Sequence, residues 1–209
     1  MVCEKLEFTE SEDSTLRTAR LALRRPRAGD AEAVARLAND REIAENTMVI
    51  PYPYTLADAR KFIAHVEETR IETFLAFAAI GGEETLIGCG GLTAHDDGVP
   101  TLGYWVGAPY RGRGFATEIA RALIGHAFET LGAQRLGVSC RLTNTASRRV
   151  IEKCGFQWTG CGLSHSAGLR GSFPVDRFRL ERAIWKSLLA WGSARAVDGI
   201  IANIEADAR

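Results

Sequence analysis

The chain has no surplus of charge of either sign. Lys plus Arg and Asp plus Glu stand at 26 each in 209 residues, so the formal net charge is zero. A general nucleic-acid binder needs a basic excess to meet phosphates, so nucleic acid is not an expected partner. No uninterrupted apolar run approaches the roughly 20 residues of a membrane-spanning helix, so no membrane span is expected. Met1 to Lys5 lack a basic segment followed by an apolar one, so no secretory leader is expected. The five cysteines (Cys3, Cys89, Cys140, Cys154 and Cys161) are odd in number and include no C-x-x-C pair. That excludes a disulfide framework and a zinc site as expectations, leaves Cys89 and Cys140 as small strand residues, and implies a reducing, cytoplasmic setting without a metal.

What is present suits one mixed α/β domain. Hydrophobic residues make up 46%, enough for a sizeable core. Residues 1–15 read as a polar, flexible tail, 16–191 as the folded domain, and 192–209 as a helix or tail. The segment 20–24 predicts a first strand, after which Asp30 is placed to cap a helix. Thr55-Leu56-Ala57-Asp58 has the form of a capping box ahead of a helix carrying Ala59, Phe62, Ile63 and Val66 on one side. An apolar run over 74–80, a Gly81-Gly82 turn and a run over 85–92 predict a hairpin. A fourth strand over 101–106 leads into a glycine-rich loop and a helix with Ile119, Ala120, Leu123, Ala127 and Leu131 on one face, stopped at Gly132. A strand over 135–140, a helix over 144–153 and a terminal hairpin returning over 175–182 complete a single domain that is not doubly wound.

The glycine-rich loop, Tyr110-Arg111-Gly112-Arg113-Gly114-Phe115-Ala116-Thr117, carries the chemistry. Its glycines permit a tight turn and leave backbone N–H groups bare at a helix N-terminus, where the dipole favours an anion. A phosphate or pyrophosphate is the expected ligand. The stretch from Gly107 to Gly112 has P-loop spacing but continues Arg113-Gly114 where Lys and Ser or Thr are required. Gly112-x-Gly114-x-x-Thr117 lacks the third glycine of a dinucleotide fingerprint and follows an antiparallel meander.

The third alternative, the acetyl-CoA loop, rests on a resemblance that extends beyond the loop. Gly103-Tyr104-Trp105-Val106, Pro109-Tyr110, the run from Arg111 to Glu118, Asn144-Thr145-Ala146-Ser147 and Gly155-Phe156 follow one another in order. So arranged, the chain resembles the GNAT acetyltransferases over roughly residues 18–190. Thr18 to Arg24, followed by Gly29-Asp30-Ala31, is similar to the branch typified by RimJ and RimL, named for enzymes that acetylate the N-terminal amine of ribosomal proteins.

The resemblance implies a mixed, mostly antiparallel twisted sheet of about seven strands flanked by about four helices and splayed at the acetyl-CoA site. It implies that Trp105, Val106 and Gly107 pair with the pantetheine arm. Main-chain N–H groups of Arg111, Gly112, Arg113, Gly114, Phe115, Ala116 and Thr117 would hold the pyrophosphate. The side chains of Arg111 and Arg113 add charge there or are simply solvated. Asn144 matches a pantetheine-binding asparagine and is equally a good helix N-cap. Many relatives place a tyrosine acid where Ile151 stands; Ile151 donates no proton, so Ser147 is the expected acid and cofactor contact. The usual glutamate bases fall at Thr101 and in Gln157 to Gly160, around Thr159, where there is no carboxylate. His95, Asp96, His165 and Asp176 are the nearby substitutes, and positioning alone contributes much to amine attack. The implied partner is an amine acceptor, a small molecule or a protein N-terminus, bound between 46–54 and 164–174. A monomer or homodimer is expected. A non-catalytic acyl-CoA sensor is the alternative function.

Overall fold

The computed structural model describes residues 15–69, 71–95, 97–166 and 171–191. Asp96, the two tails and 167–170 lie outside the described residues. The strands are β1 (Leu16–Arg17), β2 (Leu21–Arg24), β3 (Glu72–Ile80), β4 (Glu83–Thr93), β5 (Thr101–Val106), β6 (Arg135–Arg141), β7 (Gln157–Ser166) and β8 (Gly171–Glu181). They form one sheet in the order β1-β2-β3-β4-β5-β6-β8-β7. The strand beyond the seven expected is β1, a two-residue piece folded back on β2, with Leu16 opposite Leu23. Thr18 closes that turn, its N–H donating to the Leu21 carbonyl at 3.0 Å.

The helices are α1 (Ala31–Ala38), α2 (Arg41–Asn46), α3 (Leu56–Thr69), α4 (Phe115–Gly125), α5 (Thr145–Lys153) and α6 over 182–191. The Thr55–Asp58 capping box forms as expected: Asp58 N–H donates to Thr55 Oγ1 at 3.2 Å, and Thr55 N–H donates to Asp58 Oδ2 at 2.9 Å. Asp30 stands at the start of α1 but does not cap it with its side chain. Arg24 takes both carboxylate oxygens at 2.8 Å, and Arg27 N–H donates to Oδ2 at 2.7 Å. The arginine fork outcompetes an ordinary cap because it makes two charge-assisted bonds. After α4 the chain continues as one π-helical stretch, His126–Thr130, and ends at Gly132, whose φ is +68°.

Two apolar layers flank the sheet. Ala31, Val34, Ala59 and Ile63 of α1 and α3 close over Leu75, Phe77 and Cys89 on one face. On the other, Ile119, Leu123 and Ile124 of α4 and Ile151 of α5 close over Phe74, Ile87, Leu136, Val138 and Phe178. A Cβ at Gly90 would lie 2.7 Å from Ile119 and Leu123, so glycine there lets α4 sit directly on β4.

The feature that positions the site is the seam between β5 and β6. These strands are parallel and pair at Thr101 and Gly137, with Gly137 N–H donating to the Pro100 carbonyl at 2.9 Å. By contrast, β4 pairs with β5 from Gly88 to Thr93, and β6 pairs with β8 along its whole length. Beyond Thr101 the two strands therefore diverge, and a wedge opens in the sheet.

Candidate active site

The backbone groups facing the wedge follow from ladder alternation. Gly107 N–H donates to the Ile87 carbonyl in β4 at 2.9 Å, while the Pro100 carbonyl is used by β6. Hydrogen-bonding direction alternates along a strand. Trp105 and Gly107 thus spend their backbone groups on β4, and Tyr104 and Val106 turn theirs into the wedge. Of the strand residues expected at the pantetheine, Val106 faces the opening; Tyr104 joins it, and Trp105 and Gly107 do not. The period-two burial of Leu102, Tyr104 and Val106 in the α4-side layer carried this signal.

The loop that follows is shaped by two left-handed glycines, Gly112 at φ +75° and Gly114 at φ +81°. Gly114 sits at the N-cap of α4 and offers no capping side chain. The backbone N–H groups of 112–117 donate to no acceptor among the described residues; the first α4 bond runs from Glu118 N–H to the Gly114 carbonyl at 3.1 Å. A row of bare N–H groups at a helix N-terminus is an anion cradle. The cradle is braced from β2. Arg20 Nη1 donates to the Arg113 carbonyl at 3.0 Å, and its Nε donates to Glu118 Oε2 at 2.8 Å. Thr18 and the Arg20 N–H also donate to Glu118 Oε1, at 2.5 and 2.9 Å.

The two loop arginines separate. Arg111 folds away from the cradle, and every nitrogen of its guanidinium is occupied. Nε donates to the Val106 carbonyl at 3.1 Å, Nη1 to Glu42 at 2.5 Å and Nη2 to Asp40 at 2.9 Å. It ties the N-terminus of α2 to the end of β5. Arg113 is exposed and its side chain pairs with nothing among the described residues.

Across the wedge, Asn144 caps α5, its Oδ1 accepting from Ser147 N–H at 2.9 Å. The cap places the Ser147 hydroxyl 3.0 Å from the Tyr104 hydroxyl of β5, which also lies 3.4 Å from the Ser147 carbonyl. Among the described residues, this pair is the side-chain bridge across the mouth of the wedge. Burial pushes the Tyr104 pKa well above its ordinary value, outweighing the Ser147 hydrogen bond, so the hydroxyl keeps its proton. Ile151 is in the core, and burial, with Asp176 adding to it, pushes the Cys140 thiol up to about 11. A thiol held protonated at neutral pH is a poor nucleophile.

Among the described residues, no carboxylate stands in for the missing bases. Thr101 lies at the seam, and Thr159 Oγ1 donates to the Arg177 carbonyl at 3.1 Å. Asp176 is buried and accepts from Arg148 at 2.6 Å and Trp158 Nε1 at 2.8 Å, so it is a structural anchor for α5. His95 and His165 have no hydrogen bond that would orient them among the described residues. The two segments expected to wall the acceptor do meet: Ser164 Oγ contacts Met48 Sδ at 3.3 Å, and Ser166 Oγ donates to the Thr47 carbonyl at 3.1 Å. Among the described residues, no group of three ligating side chains is arranged for a metal.

The acetyltransferase (GNAT) domain model matches residues 20–157, about two thirds of the chain. The chain belongs to the GNAT acetyltransferase family. Solved GNAT relatives hold coenzyme A or acetyl-CoA. An uncharacterized N-acetyltransferase of Bacillus licheniformis is 29% identical over 150 residues, 70% of this chain and 84% of the relative. A ribosomal-protein-serine acetyltransferase of Escherichia coli is 32% identical over 60 residues, 29% of this chain and 34% of the relative. The crystal structure of a spermidine N-acetyltransferase from Vibrio cholerae, in complex with CoA and spermine, has a TM-score of 0.68 at 19% identity. It covers 80% of this chain and 99% of that one. This GNAT chain thus shares its fold with enzymes whose named acceptors differ.

Proposed function

We propose that this GNAT protein transfers the acetyl group of acetyl-CoA to a primary amine by direct attack in a ternary complex. The observation that carries the reading is the bare N–H row of 112–117 beside the open edge of β5. The pyrophosphate lies on that row, Arg113 supplies its charge to the phosphates, and the pantetheine amides pair with Tyr104 and the Val106 N–H as a missing strand would, the Val106 carbonyl being shared with Arg111. Arg111 contributes through its backbone and holds the corner of α2. The free amide nitrogen of Asn144 donates to the pantetheine while its oxygen caps α5.

The thioester carbonyl then sits near Ser147. The neutral amine attacks that carbonyl, the new C–N bond forms, and the C–S bond breaks. The Ser147 hydroxyl gives its proton to the departing thiolate, and the amine's surplus proton passes to solvent. Tyr104, kept protonated by burial, is the hydrogen-bond partner that orients Ser147, and Ser147 regains its proton from solvent, balancing the one the amine gives up. No enzyme nucleophile is involved. The relatives named for ribosomal-protein acetylation support a protein N-terminus as the acceptor.

The test is release of free thiol from acetyl-CoA in the presence of a panel of amines, with acetyl-CoA binding measured calorimetrically on the same samples. Turnover above background with at least one amine class is expected. The empty base positions at Thr101 and Thr159 favour one second reading, a sensor that binds acetyl-CoA without turnover. Tight binding with no thiol release from any amine would establish it.

A further inference from the structure

On one face of β6, β8 and β7, α2 and the segment after it close over the end at Arg141, Val175 and Ser166, and among the described residues no helix covers the rest, around Arg177 and Arg179, beside the wedge. Side chains alternate across a sheet. Phe178 and Leu180 are in the core layer under α5, so Arg177 and Arg179 point the other way. Val138 and Cys140 are likewise in that layer, so Ser139 and Arg141 share this face, along with Trp105 of β5. Gly137 and Ser139 give it a low floor.

The charge on this face is one-sided. Arg177 is exposed and donates only to the Leu163 carbonyl, at 3.3 Å. Arg141 Nη1 donates to the Glu45 carbonyl at 2.9 Å, and its guanidinium lies 5.0 Å from the Phe173 ring centre. Arg179 has no partner among the described residues. None of the three meets a carboxylate, whereas Arg20, Arg24, Arg25, Arg111 and Arg148 all do. The one acid that these strands put on this face is Glu181, at its far end opposite Arg135, and Glu45 of α2, whose carbonyl meets Arg141, is paired with Arg41. Because the whole chain is neutral, this local surplus reflects placement and not composition.

We infer that this face receives an acidic N-terminal segment of a protein, with carboxylates close behind the amine that is acetylated. The inference rests on the acetyl-transfer reading above. Arg177 and Arg179 stand two residues apart on one strand, about 7 Å, and Arg141 lies diagonally, one strand (about 5 Å) to the side of Val175 and so two residues further along than Arg177. One carboxylate cannot serve all three. An extended chain advancing roughly 3.3 Å per residue carries several to them while its first residue remains at the wedge. A polyamine is repelled by the same side chains.

The test uses the full-length protein and short peptides with free N-terminal amines. One set carries Asp and Glu behind the first residue, a second Asn and Gln, a third Lys. We expect kcat/KM to favour the acidic set over the neutral one by about tenfold, the effect of two or three exposed ion pairs, with the margin shrinking as salt screens them. Charge reversal at Arg177→Glu and Arg179→Glu inverts the order, whereas Arg36→Glu, on the exposed side of α1, leaves it in place. Fluorescence anisotropy of labelled peptides follows the same order without catalysis. Equal use of the three sets, preference for the Lys set, or an order untouched by the reversal overturns the inference. Acetyl-CoA binding in the same samples separates the two failures. Binding and transfer without charge preference reject the acidic acceptor alone, whereas transfer to none of the amines rejects the acetyl-transfer reading as well.

Discussion

The loop between β5 and α4 and the open face of β6, β8 and β7 border the same wedge, yet the ligand sites proposed for them are built by different means. The loop works with backbone. Its N–H groups are aimed by two left-handed glycines and a helix start, all within one stretch of chain. The face works with side chains drawn from separate strands, and its arginines take meaning from what does not cover them. The lesson is that a donor common to a whole family can be held by main chain, which tolerates change in side chains. An acceptor particular to one enzyme has to be read by residues that vary.

The largest effect is expected at Gly114. Valine there meets a left-handed φ of +81°, costing about 1–3 kcal/mol, and its Cβ lies 3.4 Å from the Arg20 guanidinium that braces the cradle, so its extra methyls displace that brace. Acetyl-CoA affinity should fall a hundredfold or more by calorimetry, with peptide binding at the arginine face retained. Loss of both would mean that the two regions are not independent. Next comes Ser147→Ala, which should lower kcat by about a hundredfold, at the low end for a lost general acid, with the KM for acetyl-CoA little changed. Tyr104→Phe leaves Ser147 in place but unoriented. A roughly tenfold loss in kcat is expected, since it removes one hydrogen bond to the acid. A loss as large as that of Ser147→Ala would move the acid role to Tyr104.

The smallest effect is in pH dependence, at Glu118. Burial alone would raise its carboxyl, but the hydrogen bonds from Thr18 and Arg20 outweigh burial and hold it below its ordinary value. A depressed folded pKa adds stability above the unfolded value and gives it up as pH falls through the folded one. Melting temperature should therefore decline on acidification through and below the ordinary carboxylate range. Glu118→Gln should flatten that part of the curve. An unchanged slope would mean that the brace on the cradle is not what links α4 to β2.

What was legible in the sequence divides along the same line. Gly112, Gly114, the Asn144 cap and the Thr55–Asp58 box are local devices, and each could be placed from its neighbours in the chain. The direction of the Arg111 side chain could not, because its partners Asp40 and Glu42 are 71 and 69 residues away. The Tyr104–Ser147 contact spans 43 residues and depends on how far β5 and β6 diverge. Arg177 and Arg179 are visible as a polar alternation in β8, but only the sheet order shows that their face lies bare beside the wedge. The short β1 was missed because two residues carry no periodicity.

The central claim is that the backbone of 112–117 holds the pyrophosphate of coenzyme A. It is tested most directly by titrating nitrogen-15-labelled protein with coenzyme A and following the amide resonances. The account predicts the largest shifts at Gly112, Arg113, Gly114, Phe115, Ala116 and Thr117, with Val106 and Tyr104 next. Saturable binding that leaves those amides unmoved while others shift would contradict it.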